Sequence, residues 1–514
     1  MSSTISTPDA ARVTVSSQPV QPVPGVSRRS VANARWNLLR AVVTSIVGFF
    51  STPILLRSFS DGDFAGWVLV SSVTSYLTIA DIGLAAEVVR TSAKAHAEGD
   101  QDTAFDTIKA VMRLQGLLTL CMSALLVAVT VAFPHVFSSV PAASVARAQI
   151  AFVGLGITSL AAMALNPLIA HQIGLQRMDI GAKAAIGSRV LAFGWIWWSA
   201  HLGLAWVATG VALLYTMAFV VAAAYTYRIE PTFRLRGPFK RSQPYATISV
   251  FAKRRLVWFL GVFAVVTFDV TFVGHFAFKD LVPFSLALSL VSICYVAFEA
   301  IVSTLVPHIA AFTRTDHAAE ARWLRSFYLF TNGLACVICL GMGAVSVFLV
   351  PRWVGATLSK RVLALLFPML VVTFVRMVLD GLSGGFVALN DQRRCMWNHV
   401  REALVKLPLG LVLVQEFGAV GLVWSGLAGA LAALLVVLVM VMPTSAFRLP
   451  ARSGVGMMLV YLALIVGALI LHRSTHGAAV AATLLATCGL VATHLYRSGV
   501  LADVGIIHRR QGTA

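Results

Sequence analysis

The amino-acid sequence predicts an all-α integral membrane protein of about fourteen transmembrane helices. Two six-helix lobes, related by a pseudo-twofold axis along the membrane normal, are followed by two C-terminal helices. Three observations lead there: fourteen apolar runs of bilayer length, an alternation of basic charge between them, and an internal repeat. Composition agrees with this class. Of the 514 residues, 58% are hydrophobic and 12% charged, against about 25% charged in soluble domains. Mean hydropathy is +0.83.

A helix needs roughly 20 apolar residues to cross the hydrocarbon core. Runs that meet this need lie at approximately 37–58, 64–86, 107–133, 148–171, 185–203, 205–227, 254–276, 282–306, 324–349, 362–389, 403–417, 418–442, 455–472 and 477–496. The fifth and sixth are parted only by Leu202 and Gly203, and the eleventh is short. Residues 1–32 are polar and rich in Ser, Thr, Pro and Val, without the apolar core of a signal peptide. They read as a disordered cytoplasmic tail, with the first span as an uncleaved signal.

Charge tests the count. With the N-terminus inside, the inward segments are the tail, 87–106, 172–184, 228–253, 307–323, 390–402, 443–454 and the C-terminus. About 32 of the 40 Lys and Arg fall in or beside them, and about 7 fall outside. This is the asymmetry of a protein with cytoplasmic positive loops, and it places both termini in the cytoplasm of a bacterial inner membrane. Arg352, Lys360 and Arg361 form the one outer loop against the trend. The net charge of +19 therefore speaks for anionic lipid headgroups rather than nucleic acid, because the basic residues lie between spans and not on one face. The domain reading is a tail at 1–32, an N-terminal lobe at 33–227, a basic cytoplasmic linker at 228–253, a C-terminal lobe at 254–442, and two further spans with the C-terminus at 443–514.

Spans one to six and seven to twelve superpose with a shift of 217 residues. Phe59 falls on Phe276, Asp63 on Asp280, Leu69 on Leu286, Ser72 on Ser289 and Ala93 on Ala310. Identity over 34–112 amounts to about nine positions, so matched hydropathy carries the repeat. An even number of spans per unit brings both units in from the same side, as in one class of secondary transporters.

Ionisable residues inside spans are costly and mark sites. Arg376 lies near the middle of span ten, with Asp380 one turn later, an i, i+4 pair that either neutralises itself or lines a hydrophilic cavity. Asp269 lies in span seven and Glu299 in span eight. Arg40 stands near the inner start of span one, where it lines a cavity or snorkels to the interface. Asp81 and Arg90 bracket the inner end of span two. Cys336 and Cys339 form a CxxC, but mid-span, where two small packing residues are the simpler reading. No phosphate-binding GxxxxGK loop, metal-spaced cluster or nucleophile elbow is present, so neither an enzyme nor a cofactor or metal is expected.

Several motifs follow one another in order: Asn37; Pro53, Leu55 and Arg57; Ala65, Gly66 and Trp67; Asp81, Gly83 and Leu84; Gly99 and Asp100; Asp269 before Phe272 and Gly274; Phe284 to Leu288; Pro307; Gly385 to Arg394; and Gly418 to Gly421, with an echo at Gly174 to Arg177. Over roughly residues 33–445 this order resembles Wzx-type lipid-linked oligosaccharide flippases, of the polysaccharide exporter family in the MOP (MATE-like) superfamily. Phe278, Lys279 and Asp280 depart from the Leu-Gly-Pro turn frequent before the eighth span of that family. The resemblance implies a secondary transporter that flips polyprenyl-pyrophosphate-linked oligosaccharide by alternating access, for O-antigen (lipopolysaccharide), capsule or exopolysaccharide biosynthesis, alongside a polysaccharide polymerase and glycosyltransferases. On depth and charge, Arg40, Arg376 and Arg90 are then the substrate-binding candidates. Asp269, Glu299, Asp380 and Asp81 are the coupling-cation or charge-balancing ones. The alternative is a cation-coupled multidrug antiporter of the same superfamily. A membrane polymerase or glycosyltransferase needs a larger outer loop than the roughly 14 residues available here.

Overall fold

The computed structural model describes residues 28–77, 84–138, 140–233, 261, 263–265, 267–312, 317–388, 397–441, 458–463, 466–467, 477–498 and 500. Residues 1–27 of the tail, residues 234–253 of the linker with 254–260 after it, Asp81, the basic stretch at 389–396 and most of span thirteen lie outside them. The described chain is helical throughout, with thirteen principal helices: α1 (Arg28–Ser58), α2 (Asp61–Ser75), α3 (Leu84–Glu98), α4 (Gln101–Val136), α5 (Ala142–Gly174), α6 (Met178–Ser199), α7 (Leu204–Ile229), α8 (Phe268–Phe276), α9 (Leu281–Phe312), α10 (His317–Val354), α11 (Ala356–Ala388), α12 (Asn398–Val436) and α13 (Gly477–Arg497). Among the described residues, eight helices are long and apolar enough to cross a membrane. Helices are the form expected, since hydrocarbon offers the backbone no partner and each segment must satisfy its own N–H and C=O groups.

Two expectations are corrected. The inner loop expected at 87–106 is helical, split between α3 and the start of α4. The joint has a local cause: Gly99 takes φ +71°, and Asp100 accepts from the Thr103 backbone N–H at 3.3 Å and from its hydroxyl at 2.8 Å, capping α4. The region is polar because α3 is amphipathic. It buries Val88, Glu87 and Ser92. Helix α1 also starts at Arg28, inside the segment read as tail.

The short eleventh span is a full one. Helix α12 runs from Asn398, and Gly418 (φ 60°, ψ −144°) turns it back on itself. The arms 398–417 and 419–436 lie antiparallel and so close that a Cβ on Gly421 would stand 2.1 Å from the Leu413 carbonyl oxygen, and one on Gly429 2.8 Å from the Glu402 carbonyl oxygen. The same device closes α6 on α7. Gly203 takes φ +94°, a Cβ on Gly210 would strike the Trp195 indole, and that indole donates to the Trp206 carbonyl at 3.1 Å. Positive φ and close approach both favour glycine here.

Helices α1 to α7 pack chiefly on one another, α5 against α7, α4 and α2, and α1 against α6. Helices α8 to α13 do likewise, with α11 against α9, α10 and α12, and α13 against α10. Between the two sets, α2 meets α8 and α9, and α1 touches α9 and α10. Some of the side chains that cross do so away from the end where α1 begins, and deeper in the bundle the Tyr76 hydroxyl donates to the Thr267 carbonyl at 3.1 Å. Phe49 stacks on Trp353 at 4.9 Å and its carbonyl accepts from that indole at 2.9 Å, while His275 Nδ1 lies 2.7 Å from the Val136 carbonyl oxygen. Two ion pairs at this end match across the repeat. Asp63 of α2 meets Arg147 of α5 at 2.9 Å, and Asp280 before α9 meets Arg361 of α11 at 2.8 Å. Arg361 is thus neutralised in place, which accounts for one of the three basic residues of the loop that departs from the charge asymmetry.

Replacing Gly421 with Ala forces a methyl group into backbone, an overpacking that costs about 1–3 kcal/mol. The expected result is a lower melting temperature for purified Gly421→Ala, while Gly48→Ala, which meets nothing within 4 Å, melts with the wild type.

Candidate functional site

Two groups of polar side chains within the apolar bundle bring several charges together. The first lines a cavity of about 700 Å³ between α1, α5, α6 and α7, at the end where α1 begins, with Val296 of α9 on one wall. Asn37, Arg40 and Thr44 reach it from α1, Asn166 and Gln172 from α5, Arg177, Ser188 and Arg189 from the turn and α6, and Tyr215 from α7. Three guanidinium groups line it and no described carboxylate does. The turn that carries Arg177 is held by Asn33, which donates to the Gln176 carbonyl at 3.0 Å. Gln176 itself takes φ 58°.

The arginines are held differently. Arg189 donates from Nη1 to the Tyr215 hydroxyl at 2.6 Å with its guanidinium carbon 4.4 Å from the ring centroid, so ring and hydroxyl orient it, and no carboxylate among the described residues pairs with it. Arg177 is paired with Asp179 at 3.3 Å, and Lys183 shares that carboxylate at 2.9 Å. Burial raises the Asp179 pKa, but Lys183 and Arg177 outweigh it and hold the carboxyl below its usual value. Asp179 therefore stays ionised at neutral pH. Its contribution to stability is present above the unfolded-state value and is lost as pH falls through the folded one. Arg40 is exposed.

The second group is a buried charge cluster where α8, α11 and the first arm of α12 meet. Lys406 Nζ stands 2.6 Å from Asp269 Oδ1 and 2.7 Å from Oδ2, and donates as well to the Val265 carbonyl. Arg376 Nε donates to Glu402 Oε1 at 2.6 Å. His399 Nε2 lies 3.7 Å from Asp380 Oδ1. The Glu402 and Lys406 side chains are 1% exposed. One guanidinium nitrogen of Arg376, Nη2, is buried without a hydrogen-bond partner among the described residues.

The anticipated residues thus separate. Arg40 lines the cavity, but Arg376 belongs to the cluster, and the expected Arg376–Asp380 pair does not form, because Arg376 turns to Glu402 and Asp380 to His399. Asp269 is also in the cluster, tied to Lys406. Arg90 bonds Glu87 of its own helix at 2.5 Å with half its side chain exposed, away from both places. Glu299 is exposed on α9, and Asp81 lies outside the described residues. Sequence reasoning overlooked Arg189, Glu402 and Lys406. Arg189 and Lys406 lie within apolar runs just as Arg376 does, and Glu402 with Lys406 is an i, i+4 pair that became invisible once span eleven was begun at 403. Cys336 and Cys339 are buried free thiols. Among the described residues no group of His, Cys, Asp and Glu is arranged to hold a metal.

No family model matches the chain, and no curated protein does. Solved structures do. The inward closed conformation of the lipid II flippase MurJ superposes with a TM-score of 0.69 at 10% identity, over 91% of this chain and 100% of that one. This chain shares the fold of that structure. A multidrug resistance MATE family transporter of the MOP superfamily, in its inward-facing conformation, superposes at 0.59 with 14% identity, over 82% of this chain and 98% of that one. A MOP superfamily transporter from Pyrococcus furiosus, described as having a binding pocket of reverse polarity, superposes at 0.57 with 13% identity over 83% and 95%. These three structures are described as a flippase and two transporters, and the likeness to them is one of fold.

Breaking one partner of a buried pair leaves an uncompensated charge and costs about 3–5 kcal/mol, whereas replacing both with apolar residues costs much less. Arg376→Met is accordingly expected to lower the thermal stability of the purified protein strongly. Arg376→Met/Glu402→Met should recover most of the loss, and a strictly additive double mutant would contradict the pairing.

Proposed function

We propose that the protein is a secondary transporter that flips polyprenyl-pyrophosphate-linked oligosaccharide across the bacterial inner membrane, for O-antigen, capsule or exopolysaccharide assembly. The observation that carries this reading is the cavity lined by Arg40, Arg177 and Arg189 without a described carboxylate. A pyrophosphate headgroup cannot cross about 30 Å of hydrocarbon unaided. Guanidinium forks replace its hydration, because they pair with phosphate oxygens two at a time. Arg189, oriented by Tyr215 and paired with no described carboxylate, meets the phosphate directly with Arg40. Asn37, Asn166 and Gln172 offer hydrogen bonds to sugar hydroxyls, and the lipid tail stays in the bilayer at the cavity edge. Likeness to a lipid II flippase over a larger share of this chain than to the MATE transporters supports the same reading.

In this reading the two six-helix lobes rock about the contacts of α2 with α8 and α9, and the headgroup is exposed first on one side and then on the other. Both termini are cytoplasmic, so the cavity of this conformation is the inward one. Arg376 and Arg90 take no part in holding the headgroup. A multidrug antiporter of this fold exports organic cations, and a purely cationic wall repels them.

Deleting the gene is expected to abolish surface polysaccharide and to leave lipid-linked oligosaccharide on the cytoplasmic leaflet. Unchanged polysaccharide with raised sensitivity to cationic drugs would replace the flippase by the antiporter. One charge-assisted contact contributes about 1.5–3 kcal/mol, so Arg189→Ala or Arg40→Ala should lower flipping by roughly 10–100-fold. Wild-type export from both would remove the headgroup from this cavity.

A further inference from the structure

Among the described residues the cluster at α8, α11 and α12 holds three carboxylates, Asp269, Glu402 and Asp380, and two permanent cations, Lys406 and Arg376. Two of the carboxylates are answered at contact distance. Lys406 places its ammonium on both oxygens of Asp269 and on the Val265 carbonyl, a set of oxygens of the kind that would surround an alkali cation. That place is filled by the chain itself. Glu402 is satisfied by Arg376 at 2.6 Å. Asp380 has His399 as its ion-pair partner, at 3.7 Å, and histidine is charged only when it takes a proton.

Access separates the groups as well. The Asp380 and His399 side chains keep 28% and 20% of their surface exposed, against 1% for Glu402 and Lys406. A carrier of exchangeable protons has to be reached from outside, and only this pair of the three combines access with an unsettled charge.

The charges that bear on Asp380 come from each neighbouring helix. Helix α9 presents Glu299, a like charge, and the Tyr295 hydroxyl is close to the same cluster. Arg376 stands one turn away on α11 itself, and α12 presents His399 and Glu402. Helix α10 meets α11 with the neutral Thr331, against Gly381. Among the described residues the three carboxylates of the cluster against Lys406 and Arg376 leave one negative charge without a proton and none with one, and the exposed Glu299 adds a further like charge against an ionised Asp380. In hydrocarbon the neutral form is strongly preferred.

We propose that Asp380 and His399 form the proton-binding site of this transporter, and that Asp269, already occupied by Lys406, is not a cation site. One proton enters from water onto the pair, on Asp380 Oδ1 or His399 Nε2, and leaves to water again, and no covalent step is involved. The inference rests on the transporter reading for its role in coupling, but proton binding itself does not need it.

The test is pH-difference infrared spectroscopy of the full-length protein in lipid, without substrate. Among the titrating signals of the wild type, one carboxyl or imidazolium band is expected to vanish in Asp380→Asn and to move its midpoint by about 1–3 pH units in His399→Gln. It should persist in Glu299→Gln. Survival of every titrating signal in Asp380→Asn, or no titrating signal in the wild type, overturns the proposal. If Asp380→Asn does not fold, an unmoved midpoint in His399→Gln does so instead. If the spectra behave as expected while gene deletion leaves surface polysaccharide intact, the proton site stands and the flippase reading falls. If deletion abolishes polysaccharide but the spectra do not titrate at this pair, the reverse holds.

Discussion

Charge carried into hydrocarbon has to be answered where it stands, and much of the second half of the protein is arranged around that need. Asp269, Arg376, Glu402 and Lys406 lie on three helices, and each of their two pairs joins different ones. The pairs therefore do more than neutralise. Arg376 with Glu402 fixes how α12 lies along α11, and Lys406 with Asp269 fixes where α8 begins beside it. Gly426 and Gly429 on the return arm leave room beside those charged side chains. A residue with a Cβ at Gly429 would press on the Glu402 backbone and the Lys406 side chain, so small residues and buried charges at this place depend on one another.

Tight turning is the second constraint. The hairpins at Gly203 and Gly418 bring paired helices closer than ordinary side chains allow, and each relies on a left-handed glycine plus glycines facing the opposite helix. The two hairpins stand at nearly equivalent places in the repeat. So do the ion pairs Asp63–Arg147 and Asp280–Arg361. Geometry has kept the repeat better than amino-acid identity has, because a turn or a salt bridge depends on a few positions while the lipid-facing remainder tolerates any apolar residue.

Most of the fold was legible for a reason peculiar to membranes. Apolar runs such as 148–171 and 324–349 are long, uniform and bounded by charge, so the observed α5 and α10 enclose them. The break at Leu202 and Gly203 was visible because glycine interrupts two tryptophan-bearing runs. Legibility failed where polarity was ambiguous. Helix α3 was taken for loop, since an amphipathic helix at an interface has the composition of a loop, and α12 was begun too late, since Glu402 passes for a loop charge when its partner is unknown. The site residues show the same limit. Depth in a span marked Arg376, Asp380 and Asp269 as unusual, but partner choice depends on distant segments, and nothing within α11 announces that Arg376 faces Glu402 rather than Asp380 one turn away.

The register of the duplication gives the arginine cavity a history. The shift of 217 residues that matches the halves sets Arg189 on Lys406, so one ancestral position carries a cation in both. It also sets Thr52 on Asp269 and Ala185 on Glu402. The second half has acids at these places and the first half does not. A cation with its acid is a rivet, and the same cation without it is a hook. At these aligned positions the second half thus holds its cation beside acids in a buried pair, and the first half carries one on a cavity wall, through the presence or absence of a few carboxylates.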